Sequence, residues 1–240
     1  MNKNTDKLIV ALDVETVDEA KKLIEILSPA VNIFKVGSQL FTAVGPEIVN
    51  FISNRGKKVF LDLKFHDIPN TVANAVSSAV ALNQNVKNHQ AGIFMMTVHT
   101  IGGKEMLQRA SAAAKDKAKV LGLNKPFVVG ITVLTSDESK DDLSSIVLQR
   151  ARLAMESGLD GVVASSHEAA MIRKECGEDF IIVTPGIRPS GSDAGDQKRI
   201  TTPKEAIENG SNYLVVGRPI LKAANPLAAA KDILEEIRNC

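Results

Sequence analysis

The feature that most constrains this chain is an alternation repeated eight times. Short apolar runs rich in Val and Ile alternate with longer amphipathic or polar segments. The runs are Leu8–Leu12, Val31–Val36, Lys58–Lys64, Gly92–Val98, Phe127–Leu134, Gly161–Ala164, Phe180–Val183 and Tyr213–Val216. They lack the polar/apolar alternation of a half-exposed strand, which is how parallel strands covered on both faces read. Helical patterns follow at Val17–Leu27 (capped by Thr16 or Asp18), Glu47–Ser53, Ile68–Leu82, from Gly102-Gly103 to Lys117, Asp142–Ser157, Ser166–Glu175, Pro203–Glu208 and from Pro226. Asn83–Gln90 reads as a polar connector. Eight βα units in 240 residues predict a (β/α)8 TIM barrel, with residues 1–240 forming a single domain. A doubly wound open sheet is the alternative. The first turn, Asp13-Val14-Glu15, lacks the glycine fingerprint of its dinucleotide-binding form.

In such barrels the chemistry sits at the carboxyl ends of the strands. Here those ends carry charge. Asp13 ends the first strand, Lys35 the second, and Asp62 and Lys64 the third. His99 ends the fourth, Thr135 follows the fifth, Arg188 the seventh and Arg218 the eighth. Regular alternation would point Asp62 and Lys64 the same way, and burial would force them to pair with each other or with further charges. Asp67 follows three residues later, where Pro69 opens a helix. A buried ion pair that only fixes strand register is the simpler reading. Singly, Asp13 also reads as a helix cap, Lys35 as a snorkelling lysine and His99 as a residue that merely supports the site. His66 and His89 read as structural or exposed. Gly217-Arg218-Pro219 exposes backbone N–H groups beside a helix start, and Arg188 comes from the preceding strand's loop. Together they predict a grip on a phosphate monoester. The glycine-bearing stretch Ser190–Thr202 has the length and composition of a lid.

A formal net charge of +1 gives no general attraction to nucleic acid or anionic membranes. The absence of Trp argues against a stacking platform for single strands. Two cysteines, Cys176 and Cys240, form no metal-ligand spacing or disulfide framework, which fits a reducing, cytoplasmic setting. The polar opening Met1–Lys7 does not read as a signal peptide, and no apolar run is long enough for a membrane span.

With these residues assembled, the chain resembles the orotidine 5′-phosphate decarboxylase family over nearly its whole length. The strongest motif is Asp62-Leu63-Lys64-Phe65-His66-Asp67-Ile68-Pro69-Asn70-Thr71. Leu12-Asp13, Phe34-Lys35-Val36-Gly37, Leu134-Thr135-Ser136, Pro185-Gly186-Ile187-Arg188-Pro189, Gly195-Asp196-Gln197-Lys198-Arg199 and Val216-Gly217-Arg218-Pro219-Ile220 join it in order. The connector and Ile93-Phe94-Met95-Met96 are less typical.

The resemblance implies conversion of orotidine 5′-phosphate to UMP and CO2 in pyrimidine synthesis, with no cofactor and no metal. It implies a homodimer with shared sites. Lys35, Asp62 and Lys64 would act from one subunit, and Asp67 and Thr71 would reach in from the other. Asp13 and Thr71 would hold ribose hydroxyls, and Thr135 would lie near the pyrimidine. Arg188, Gln197, Gly217 and Arg218 would hold phosphate or close the lid. Sister enzymes of the same barrel group, which act on sugar phosphates with Mg2+, share the Asp-x-Lys-x-x-Asp spacing but place an acid where Lys35 stands. A barrel that only senses a nucleotide phosphate would need the two arginines and not Lys64.

Overall fold

The computed structural model describes residues 6–86, 91–134, 142–189 and 201–238. Eight strands lie among them: β1 (Leu8–Ala11), β2 (Ile33–Gly37), β3 (Lys58–Phe65), β4 (Gly92–His99), β5 (Phe127–Ile131), β6 (Gly161–Val163), β7 (Ile181–Thr184) and β8 (Tyr213–Val216). The described helices are α1 (Val17–Leu27), α2 (Ser38–Val44), α3 (Glu47–Ser53), α4 (Pro69–Ala81), α5 (Gly103–Leu121), α6 (Leu143–Glu156), α7 (Ser166–Cys176), α8 (Pro203–Glu208), α9 (Arg218–Leu221) and α10 (Pro226–Arg238). Each strand pairs in parallel with the next, and β8 returns to β1 with Ile9 opposite Val215. The result is one closed (β/α)8 barrel.

Strand alternation divides the apolar residues into two cores. Leu8, Val10, Phe34, Val36, Val59 and Leu61 face outward into the layer packed under the helices. Ile9, Ile33, Phe60, Met95, Val129 and Val183 form a second cluster inside the barrel. The inward positions one pleat further along are Ala11, Lys35 and Asp62, so charge begins where the apolar filling ends.

Several boundaries differ from the sequence reading, each for a local reason. Thr16, not Asp18, caps α1, its hydroxyl accepting the Glu19 N–H at 3.2 Å. Ser165, one residue before the expected Ser166, caps α7. The fifth strand stops at Ile131, and Thr132 turns its hydroxyl to the Val163 carbonyl at 2.8 Å. The polar connector begins as a 3-10 turn, Leu82–Asn85, where the buried Asn83 side chain pairs with both backbone groups of Ile93.

The opposite end of the barrel is stapled by polar groups. Lys125 reaches both oxygens of Asp160 (2.7 and 2.6 Å), and Asp160 also accepts the Val128 N–H. Lys58 pairs with Asp6 at 3.0 Å. The Arg173 guanidinium donates to the carbonyls of Gly177, Glu178, Phe180 and Gly210, binding the loops that enter β7 and β8.

β6 and β7 approach closely at one glycine. A Cβ on Gly161 would stand 2.1 Å from the Ile181 carbonyl oxygen, a backbone atom with no rotamer to yield. Gly161→Ala is therefore expected to lower stability by about 2–3 kcal/mol, read as a shift of the urea unfolding midpoint.

Candidate active site

The third strand holds the central feature. Leu61 pairs with Met96 and Phe65 with Val98, so Asp62, Leu63 and Lys64 stand opposite Thr97 alone. Lys64 takes φ 51°, the one described non-glycine residue with positive φ. Plain alternation would space the Asp62 and Lys64 Cα atoms by almost 7 Å, within reach of a lysine side chain. Across the bulge, Lys64 Nζ lies 2.8 Å from Asp62 Oδ2. The expected pairing exists, and it spans a local break in the pleat.

The charges continue across the barrel mouth. Lys35 Nζ lies 3.7 Å from the same Asp62 oxygen and 2.9 Å from Asp13 Oδ1. Asp13, Lys35, Asp62 and Lys64 thus form a chain of alternating sign. Its two middle members are buried, with side chains 10% and 11% exposed, while Lys64 and Asp13 open to solvent at 37% and 59%. Asp13 is not the helix cap, and Lys35 does not snorkel outward. Gly37 leaves room for this: a Cβ there would come to 3.1 Å from Lys35 Nζ. Opposite charges at these distances attract by about 4–6 kcal/mol at an effective dielectric near 20. Withdrawing each ion from water costs several kcal/mol. The two effects are of similar size, so the network fixes geometry and adds little to the stability of the fold.

A cleft of about 590 Å3 lies over these groups. Phe60, Ile131, Val163 and Val215 contribute its apolar lining, and Asp13, Lys35, Asp62 and Lys64 line one side. Arg188, Gly217, Arg218 and Lys222 also line it. Arg188 is buried after β7, its Nη1 donating to the Ile187 carbonyl at 2.9 Å. Ile187 bridges Thr201, and the Arg188 N–H donates to the Thr201 carbonyl, so the chain on either side of 190–200 is joined. Gly217 precedes α9 and Arg218 is that helix's first residue. The volume suits a ligand of nucleotide size.

Asp67 and Thr71 stand apart. Both are exposed, and Asp67 Oδ1 accepts the Ile68 N–H at 2.6 Å, with no ion pair among the described residues. Thr135, Gln197 and the expected lid lie outside the described residues, as do His89 and Cys240. Among the described residues no three His, Cys, Asp or Glu side chains cluster to hold a metal. Lys222 and Thr97 were not singled out by the sequence. Thr97 is fully buried. Its one sequence signal is a hydroxyl in an otherwise apolar run two residues before His99.

The carboxyl-end cleft, the alternating charges and the two arginines define the class: a (β/α)8-barrel enzyme acting on a small phosphorylated substrate. A sequence model described as the orotidine 5′-phosphate decarboxylase / HUMPS family matches residues 6–233. The chain belongs to this family. It is 48% identical over 241 residues to the orotidine 5′-phosphate decarboxylase of Moorella thermoacetica, covering 97% of this chain and 92% of that one. It is 47% identical over 242 residues to that of Legionella pneumophila strain Corby, covering 97% and 100%. The crystal structure of orotidine 5′-phosphate decarboxylase from Lactobacillus acidophilus superposes with a TM-score of 0.80 at 35% identity, over 96% of this chain and 98% of that one. By this kinship the chain is a carboxy-lyase. No described helix is long and apolar enough to cross a membrane.

His99 ends β4 half-buried, its ring 5.7 Å from that of His66, and its Nδ1 has no hydrogen-bond partner among the described residues. Burial first, then His66, Arg150 and Lys64, push its pKa below the ordinary 6.5. The folded chain then binds fewer protons here than the unfolded one. The stability contribution is complete above the unfolded value and falls away as pH drops through it toward the folded value. Urea midpoints of the parent chain should therefore fall more steeply between pH 7 and pH 5 than those of His99→Gln.

Proposed function

We propose that the chain removes CO2 from orotidine 5′-phosphate to give UMP, without a cofactor, as the decarboxylating step of pyrimidine synthesis in the cytoplasm. The observation that carries this reading is the chain Asp13–Lys35–Asp62–Lys64 set in the cleft that Arg188 and Arg218 also line. Family membership and the shared name of the relatives support it.

The chemistry follows from the residues. Arg188, Arg218 and the N–H groups beside Gly217 hold the phosphate, with Gln197 closing over it. Asp13 and a partner copy's counterpart of Thr71 take the ribose hydroxyls, and Thr135 faces the pyrimidine. The base then lies over the apolar floor with C6 toward Lys64. The C6–carboxylate bond breaks, CO2 leaves, and the electron pair stays on a vinylic carbon with little resonance help. The Lys64 ammonium, fixed beforehand beside Asp62, stabilises that charge and transfers its proton to C6. Lys35 balances the acids. Binding energy from the distant phosphate offsets the repulsion between the substrate carboxylate and Asp62. The exposed Asp67 and Thr71 suit a homodimer in which each serves the neighbouring site, the whole chain acting as one barrel unit.

The experiment is loss of orotidine 5′-phosphate absorbance with the purified chain in EDTA-treated buffer. A requirement for Mg2+ would favour the sugar-phosphate chemistry of the sister enzymes instead. Lys64→Ala should cut turnover at least about a thousandfold, as removal of a preorganised electrostatic partner does, while isothermal titration shows UMP affinity close to the parent's. Asp67→Ala and Lys64→Ala chains, each inactive, should regain part of the activity once subunits exchange. Native mass spectrometry confirms the exchange, and no recovery after it would remove the shared site.

A further inference from the structure

The break in β3 is held by a residue with no part in the chemistry above. Thr97 lies on β4, its side chain fully buried, as the single residue opposite Asp62, Leu63 and Lys64. Its hydroxyl donates to Asp62 Oδ1 at 3.0 Å and accepts the Lys64 backbone N–H at 2.8 Å. One hydroxyl supplies one proton and a lone pair, and both are used in opposite directions. Asp62 Oδ2 is left to receive Lys64 Nζ at 2.8 Å and Lys35 at 3.7 Å.

We infer that Thr97 is a positioning residue that sets the distance between the carboxylate of Asp62 and the amine of Lys64. Its two bonds act on the two ends of that pair. The bond to Asp62 turns the carboxylate so that its other oxygen meets the amine. The bond from Lys64 N–H holds a left-handed backbone conformation, strained for a non-glycine residue, that persists only where its surroundings enforce it. Without the hydroxyl, the Lys64 amide loses an acceptor and the buried Asp62 loses a donor. β3 is then free to shift its backbone at Lys64, and the 2.8 Å spacing of the amine and the Asp62 carboxylate is no longer enforced. Valine matches threonine in shape and strand preference, so Thr97→Val removes the two bonds and keeps the packing.

Two measurements test this, and only the kinetic one rests on the decarboxylase reading. Amide hydrogen exchange followed by NMR reports Lys64 directly. Its protection should fall at least about tenfold in Thr97→Val, the scale of one lost hydrogen bond, and return in Thr97→Ser. With orotidine 5′-phosphate, kcat of Thr97→Val should fall at least about tenfold while KM stays within about threefold, the pattern of an interaction needed at the transition state. Thr97→Ser should recover most of kcat. Thr97→Ala gives the same comparison should the valine chain not fold. Unchanged Lys64 protection in Thr97→Val, kcat within about twofold of the parent, or a serine variant as impaired as the valine one each overturns the assignment. A parent chain inert toward orotidine 5′-phosphate, with Lys64 exchange still responding to Thr97→Val, sinks the decarboxylase reading and upholds the clamp.

Discussion

Everything at the mouth of this barrel is arranged about one carboxylate. Asp62 is buried at the end of β3 with an ammonium on each side, Lys64 at 2.8 Å and Lys35 at 3.7 Å, and a hydroxyl on its second oxygen. A carboxylate in that position with any neighbour missing would carry a penalty of several kcal/mol. The requirement propagates outward. Lys35 needs Asp13, which ties β1 to β2. Lys64 sits on an irregular backbone whose N–H donates to Thr97 on β4. The charges are therefore correlated across three neighbouring strands, with a hydroxyl from the fourth against them, and none can be moved alone.

The same constraint separates holding from reacting. Lys35 and Asp62 are shielded by the walls, so their geometry is fixed before anything binds. Lys64 is more open and lines the cleft, where a ligand atom can reach it. In the proposed reaction, preorganised charge of this kind would act because it need not rearrange as the substrate's charge moves. Phe60, Ile131, Val163 and Val215 give the cleft an apolar lining beside these charges.

Much of this was legible in the sequence, and the failures have physical causes. Unbroken Val/Ile runs spaced by helical patterns identified the barrel, because burial on both faces leaves that trace whatever the register. Asp62 and Lys64 stood out because charge inside such a run demands a partner. The manner of their pairing was not readable. Alternation assumes a regular pleat, and the bulge lies against a strand some thirty residues away. Asp13 was ambiguous with a cap until Lys35 was seen beside it at 2.9 Å. Thr97 left almost no mark, since one hydroxyl in an apolar strand usually bonds a nearby carbonyl. Thr135 and Gln197 lie outside the described residues.

The staples at the far end of the barrel carry a consequence of their own. Lys125 with Asp160, Lys58 with Asp6 and the Arg173 fork secure the loops that feed the strands, a full strand length from the charged mouth. Durability and reactivity are thus written in separate sets of residues at opposite poles. Selection can replace one set while the other stays intact, so a lineage of such chains is free to acquire new chemistry without first relearning how to fold.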